Sequence, residues 1–200
     1  MIKMRSAVFI LTLALAGCGF GRVPAPPTVF DLGLDAAPVP ALPSREPIAM
    51  TFQAVPSLSD TSVIWRVGDS AAPKAYATYR WASSPTELLR QRIAERLSRQ
   101  GPVLNERVSL QTPQLQVFLS QFEQVFAADG SASEGRILLQ AVLVQGRTVL
   151  GQKRIVAQAD APTQDAAGGV AALRQASNDA ADQLAQWLAA TLKPAPKAGG

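Results

Sequence analysis

The sequence predicts an α/β (α+β) fold, a single domain in which a twisted, mostly antiparallel sheet is covered by two main helices. Three observations carry this expectation. Two segments, at residues 85–100 and 165–192, place apolar side chains at helical spacing. Before and between them, short runs alternate with period two, the mark of half-buried strands. Turn residues join several of these runs closely enough for hairpins, the connection that antiparallel neighbours use. The 200-residue chain is 48% hydrophobic and 17% charged, a globular composition with length for one domain plus tails.

The first element in chain order is a leader. Lys3 and Arg5 make a short basic start, and residues 7–16 are almost purely apolar. An apolar run of about ten residues suits a secretory signal peptide, whereas a spanning helix needs roughly 20. Leu15-Ala16-Gly17-Cys18 closes the run and contains the only cysteine of the chain. These four residues resemble the lipobox of bacterial lipoproteins. The resemblance implies recognition of Leu15, Ala16 and Gly17 by signal peptidase, cleavage before Cys18, a diacylglyceryl thioether on its sulfur and acylation of the new amino terminus. The competing reading is a plain secreted protein with a chance cysteine, which would carry an unpaired reactive thiol. Residues 1–17 are then leader, and 18–27 hold the lipidated cysteine and a tether. Pro24, Pro26 and Pro27 bias that tether toward polyproline II, at about 3.1 Å per residue.

The body is expected over residues 28–192. Residues 29–34 read as a first strand, and a Pro-rich loop follows at 38–47. Ile48, Met50, Phe52 and Ala54 share one face of a strand over 48–55. Residues 62–67 and 75–81 look like the arms of a hairpin around turn residues 68–73. Ser84 then suits an N-cap, Pro85 the first helical position, and Glu87 completes a capping box. Leu88, Leu89, Ile93 and Leu97 form the apolar stripe of this helix, and Gly101-Pro102 ends it. Arg90, Arg92, Arg96 and Arg99 are expected to mark mostly its solvated side. Leu115, Val117 and Leu119 alternate, with a register shift expected at Phe122 before Val125. Asp129-Gly130 lies in the next turn. Residues 137–144 are apolar on nearly both faces, which places that strand centrally. Gln145-Gly146 makes a tight hairpin into residues 149–159. In the final helix Val170, Leu173, Ser177, Ala181, Leu184, Trp187-Leu188 and Leu192 mark one face. Residues 193–200 are a Pro/Gly/Lys tail with nothing to bury, expected to be disordered.

Composition excludes more than it assigns. The formal charge is +4, and loss of Lys3 and Arg5 with the leader leaves the mature chain near +2. No block of like charge marks a nucleic-acid footprint. There is no histidine, and the single cysteine is committed to lipid. Ser-His-Asp and Cys-His nucleophilic systems cannot be assembled, nor can a Cys/His zinc site. No cofactor is expected beyond the covalent lipid on Cys18, and no metal. Gly146 to Lys153 resembles a displaced P-loop, but Gln152 stands where the lysine belongs and the segment sits between strands. Asp60, Asp69, Asp129 and Glu134 read as turn residues. Asp179 and Asp182 could share a helix face, yet nothing opposes them as an acid/base pair would require.

The segment Tyr76-Ala77-Thr78-Tyr79-Arg80-Trp81 is the candidate contact surface. Alternation sets Tyr79 and Trp81 on one side of a strand and Arg80 on the other, and these residue types dominate binding hot spots. The competing reading is core anchoring at a strand end. With the lipobox, Tyr76 to Trp81, then Ala82-Ser83-Ser84-Pro85 and Thr86-Glu87-Leu88-Leu89, the chain resembles the ABC-type transport auxiliary lipoprotein component family. The later Gly-turn hairpin and the Ala-rich C-terminal helix with Trp187-Leu188 agree with it. The resemblance implies a compact α/β fold with a mostly antiparallel sheet and two principal helices. It also implies a non-enzymatic role beside a mammalian-cell-entry (MCE) domain protein, a permease and an ATPase that move lipids across the Gram-negative envelope. A ring-forming homo-oligomer fits that role, with Tyr79, Arg80 and Trp81 as partner contacts. Gly19, rather than aspartate, follows Cys18, so the expected location is the periplasmic face of the outer membrane, held by the lipid anchor. Two alternatives stand beside it: a structural or assembly lipoprotein of outer-membrane biogenesis without a transporter, and a lipid-binding carrier with a large apolar cavity.

Overall fold

The computed structural model describes residues 25–192. The leader, the lipobox with Cys18, the start of the tether and the 193–200 tail lie outside the described residues. Along the chain run β1 (Thr28–Phe30), β2 (Ile48–Ala54), β3 (Ser62–Val67), β4 (Lys74–Trp81), α1 (Pro85–Leu97), β5 (Val103–Leu104), β6 (Gln114–Phe126), β7 (Ser133–Gln145), β8 (Thr148–Asp160) and α2 (Ala166–Thr191). Together they make the expected mixed α/β domain, one eight-stranded open sheet with two helices.

The three longest strands form an antiparallel meander, β6–β7–β8, paired along nearly their whole lengths. The tight turn at Gly146, where φ is +61°, joins β7 to β8 as the sequence predicts. The other edge of β6 is divided between two parallel partners. Strand β2 occupies it from Gln114 to Leu119, and β3 from Gln124 to Phe126. Short β5 extends the β2 side, while β4 pairs antiparallel with β3 and β1 parallel with β4. Period-two patterning carries no information on strand direction, so these parallel pairings come from the structure. The register shift in β6 falls at Ser120, between Leu119 and Gln121, and turns Phe122 onto the buried face.

Each helix begins where its cap dictates. The Ser84 hydroxyl accepts from the Glu87 N–H at 3.3 Å, and the Asp165 carboxylate accepts from the Gly168 N–H at 2.8 Å. Helix α2 lies across β8 and β7 and reaches β6, with α1 packed between α2 and β2. Leu89, Ile93, Leu97, Leu173, Leu184 and Leu188 meet the inner face of Leu115, Leu119, Ile137, Leu139, Leu143 and Ile155. Gly135 permits this contact: a Cβ there would stand 2.5 Å from the Leu173 nitrogen, so α2 rests on bare backbone.

Two expectations change. The first strand is shorter than residues 29–34, because the Asp31 carboxylate takes the Gly33 N–H and Gly33 turns at φ +61°. Strand β7 is central, between β6 and β8, but only one of its faces is covered. Its outer face, with Leu138, Gln140, Val142 and Val144, is half-exposed or exposed beside Phe118 and Val156.

Candidate functional site

The aromatic junction is where the sequence-predicted residues meet the sheet. Trp81 is a core side chain, 2% exposed, set edge-on against Phe122 with centroids 5.5 Å apart. Tyr79 is half-buried and stacks on Phe30 at 5.6 Å. Between them Arg80 serves its own strand. Ser62 pairs with Arg80 while Ile64 pairs with Ala75, so β4 contains extra residues that bulge between these points. The Arg80 guanidinium folds back and donates to the carbonyls of Tyr76, Ala77 and Tyr79 at 2.9, 3.3 and 2.7 Å, filling the bulge. Tyr79 and Arg80 are half-buried and keep some surface; Trp81 does not.

From Tyr79 a row of rings continues across the sheet. Tyr79 meets Tyr76 edge-on at 5.7 Å, Tyr76 meets Trp65 at 6.0 Å, and Trp65 meets Phe126 at 5.7 Å. The Tyr76 hydroxyl donates to the buried Gln124 side chain at 2.8 Å, whose amide nitrogen donates to Ser133 Oγ and to the Asp165 carbonyl. Desolvation, with Asp165 and Tyr79 adding like charge, pushes the Tyr76 phenol up to about 12.

The row ends in a cavity of about 550 Å³ lined by Trp65, Tyr76, Phe126, Asp129 and Asp165 among others. The ammonium of Lys74 already stands 5.2 Å from the centroid of the Trp65 ring. Hydrogen bonds from the Ser131 backbone and hydroxyl hold the Asp129 carboxyl below its ordinary range. Those from the Gly168 N–H and the Thr163 hydroxyl do the same for Asp165. This end is also where the chain arrives. Strand β1 runs parallel to β4 with Thr28 opposite Tyr79, so residues 25–27 enter it from the Tyr76 side of β4. At the opposite end, around the β7–β8 turn, Val108, Leu110 and Val149 are 75, 66 and 63% exposed beside a second cavity of about 570 Å³.

A buried ionic cluster reverses the expectation of a solvated basic face on α1. Arg92 and Arg96 are 3% and 1% exposed. Asp35, whose side chain is fully buried, receives Arg96 at 3.0 Å and Arg99 at 3.2 Å, with Arg92 at 3.6 Å. Arg96 also pairs with Asp182 at 2.7 Å, and Arg92 donates to Asn178 Oδ1 at 2.6 Å. Their remaining N–H groups hold the carbonyls of Leu32, Gly33, Ala37 and Pro38. The segment after β1 is thereby strapped onto both helices. Helical spacing alone marks Arg92 and Arg96 as polar; only the fold brings an acid sixty residues away onto them.

Other carboxylates are engaged one at a time. Asp60 accepts the Ser62 N–H, Asp179 accepts the Gln175 amide, and Asp182 faces Arg96. Among the described residues no group of three or more Asp, Glu, Cys or His could hold a metal ion, and no helix is long and apolar enough to cross a membrane. Among the described residues the arrangement offers an aromatic row and surface cavities.

Comparison with known proteins supplies the family. The model of the ABC-type transport auxiliary lipoprotein component family matches residues 48–185, from β2 through most of α2, and the chain belongs to that family. This is a family of auxiliary transport components, not of enzymes. A crystal structure of a DUF330 protein from Xanthomonas campestris is similar in fold, with a TM-score of 0.71 at 20% identity, covering 82% of this chain and 96% of that one. A second crystal structure, of an uncharacterized protein, gives a TM-score of 0.64 at 15% identity, covering 82% and 99%. No curated protein matches the sequence.

Proposed function

We propose that the protein is a non-enzymatic outer-membrane lipoprotein, an auxiliary subunit of an MCE-type ABC system that moves lipids across the Gram-negative envelope. Membership of the auxiliary lipoprotein family over residues 48–185 carries the reading. Leu15-Ala16-Gly17-Cys18 supports the mode of attachment, with the lipid on Cys18. Several acyl chains hold a protein on a bilayer where a single one binds only marginally, at ~0.8 kcal/mol per buried methylene. Gly19 in place of aspartate favours the outer membrane, with the domain in the periplasm. A tethered domain then presents its docking surface at high effective concentration without needing great intrinsic affinity.

Tyr79 and Arg80, which keep surface at the bulge of β4, are the partner contacts in this reading, and Trp81 positions them from the core. The test is recovery of an MCE-domain subunit with the detergent-extracted lipidated protein when both are expressed. Co-purification that weakens in Tyr79→Ala and persists in a distant surface variant is the expected result. Failure to recover any MCE-domain subunit overturns the transporter assignment.

A further inference from the structure

We infer that the cavity among Trp65, Tyr76 and Phe126 is a binding site for an organic ammonium group, supplied by the head group of a phospholipid in the surrounding membrane. Three aromatic rings line one cavity of about 550 Å³, and their faces are the electron-rich surfaces that attract cations. The protein itself uses one of them this way, with Lys74 Nζ 5.2 Å from the Trp65 centroid. Asp129 and Asp165 stand at the same cavity and carry the charge complementary to an ammonium. Each carboxylate is hydrogen-bonded through Oδ1, to Ser131 and to Thr163 with Gly168, which leaves Oδ2 of each for a ligand. The rings are fixed before any ligand arrives, Tyr76 by Gln124 and Trp65 by edge contact with Phe126. Rings held in place in advance bind without an ordering cost.

The cation class stands on the cavity alone. The lipid source rests on the anchoring at Cys18 proposed above: residues 25–27 enter β1 from this end, and a lipid on Cys18 would put a membrane within the tether's length of it. The ten residues from Cys18 to Thr28 span at most about 35 Å when extended.

The experiment titrates the full mature protein in nonionic detergent with phosphoethanolamine and phosphocholine, followed by tryptophan emission, with glycerol phosphate as the probe lacking an ammonium. A saturable change with the two ammonium probes, absent with glycerol phosphate and lost in Trp65→Phe, is expected. Asp129→Asn with Asp165→Asn should weaken binding about 2- to 20-fold, the worth of two exposed ion pairs. Asparagine retains the α2 cap, and circular dichroism verifies the fold. No saturable change, or an equal response to glycerol phosphate, overturns the site.

The source is read in vesicles of phosphatidylglycerol with and without phosphatidylethanolamine. A Trp65 response only where phosphatidylethanolamine is present supports the head group. Binding of the free probes with no such response overturns the lipid source and leaves a soluble amine as ligand. Flotation of the protein with either vesicle reports the anchor separately, so loss of attachment is distinguished from loss of the site.

Discussion

Asp35 concentrates more consequence than any other single side chain. Its side chain is fully buried, its only compensation is the three arginines around it, and they in turn hold the strap after β1. Removing one member of such a cluster leaves uncompensated charge in the interior. Asp35→Ala is therefore expected to cost about 3–5 kcal/mol, read from urea unfolding. Asp35→Leu combined with Arg96→Met should cost less than Asp35→Leu alone, because fewer charges remain unpaired. Tyr76 gives a pH signature. A phenol whose pKa rises on folding stabilises the native state below its unfolded value, near 10. That stability drains away as pH climbs from there through about 12. Thermal melts of the wild type should steepen in their fall over this range, and Tyr76→Phe should remove that part of the slope. The residue scale was only half legible in sequence. Tyr79, Arg80 and Trp81 stand out as a unit by composition, yet their division of labour depends on a bulge that pairing with β3 creates. Arg92 and Arg96 look like a solvated face because helical spacing shows only that they are polar; their buried partner Asp35 lies some sixty residues earlier in the chain.

At the scale of elements, local chemistry was informative wherever it acts locally. Ser84, Pro85 and Glu87 announce the start of α1, and the Ser84→Ala variant should lose about 1 kcal/mol of stability in chemical denaturation. The apolar stripe of α2 likewise identifies the residues that meet the sheet. What escaped the sequence is non-local: which strands share an edge, and in which direction. The contact of α2 with β7 belongs here too. A methyl group at position 135 would sit within 2.9 Å of three backbone atoms of Ala172 and Leu173. Gly135→Ala should destabilise by at least about 1–3 kcal/mol, since backbone cannot swing aside as a side chain can. Differential scanning calorimetry would register it, and an unchanged melting temperature would mean that α2 can lift off its seat.

At the scale of the whole molecule the proposed lipid on Cys18 makes a direct prediction. Cys18→Ser should shift the protein from the membrane fraction to the soluble one and make it extractable by alkaline washing, while its circular dichroism stays the same. Equal retention of both forms on membranes would mean that something other than the anchor holds it. The architecture itself has a further effect, which arises from the shared edge of β6. Strand β2 has only two-residue β5 on its other side, and β3 only β4; each gains its second neighbour when residues 114–126 arrive. A polypeptide emerging amino end first, from a ribosome or a translocation pore, therefore exposes more than half its length before those partners exist. Pairings of such long sequence separation form slowly. Until β6 emerges, the early strands are open to misassociation, so the newborn form of this protein is a natural client for whatever chaperone patrols its route.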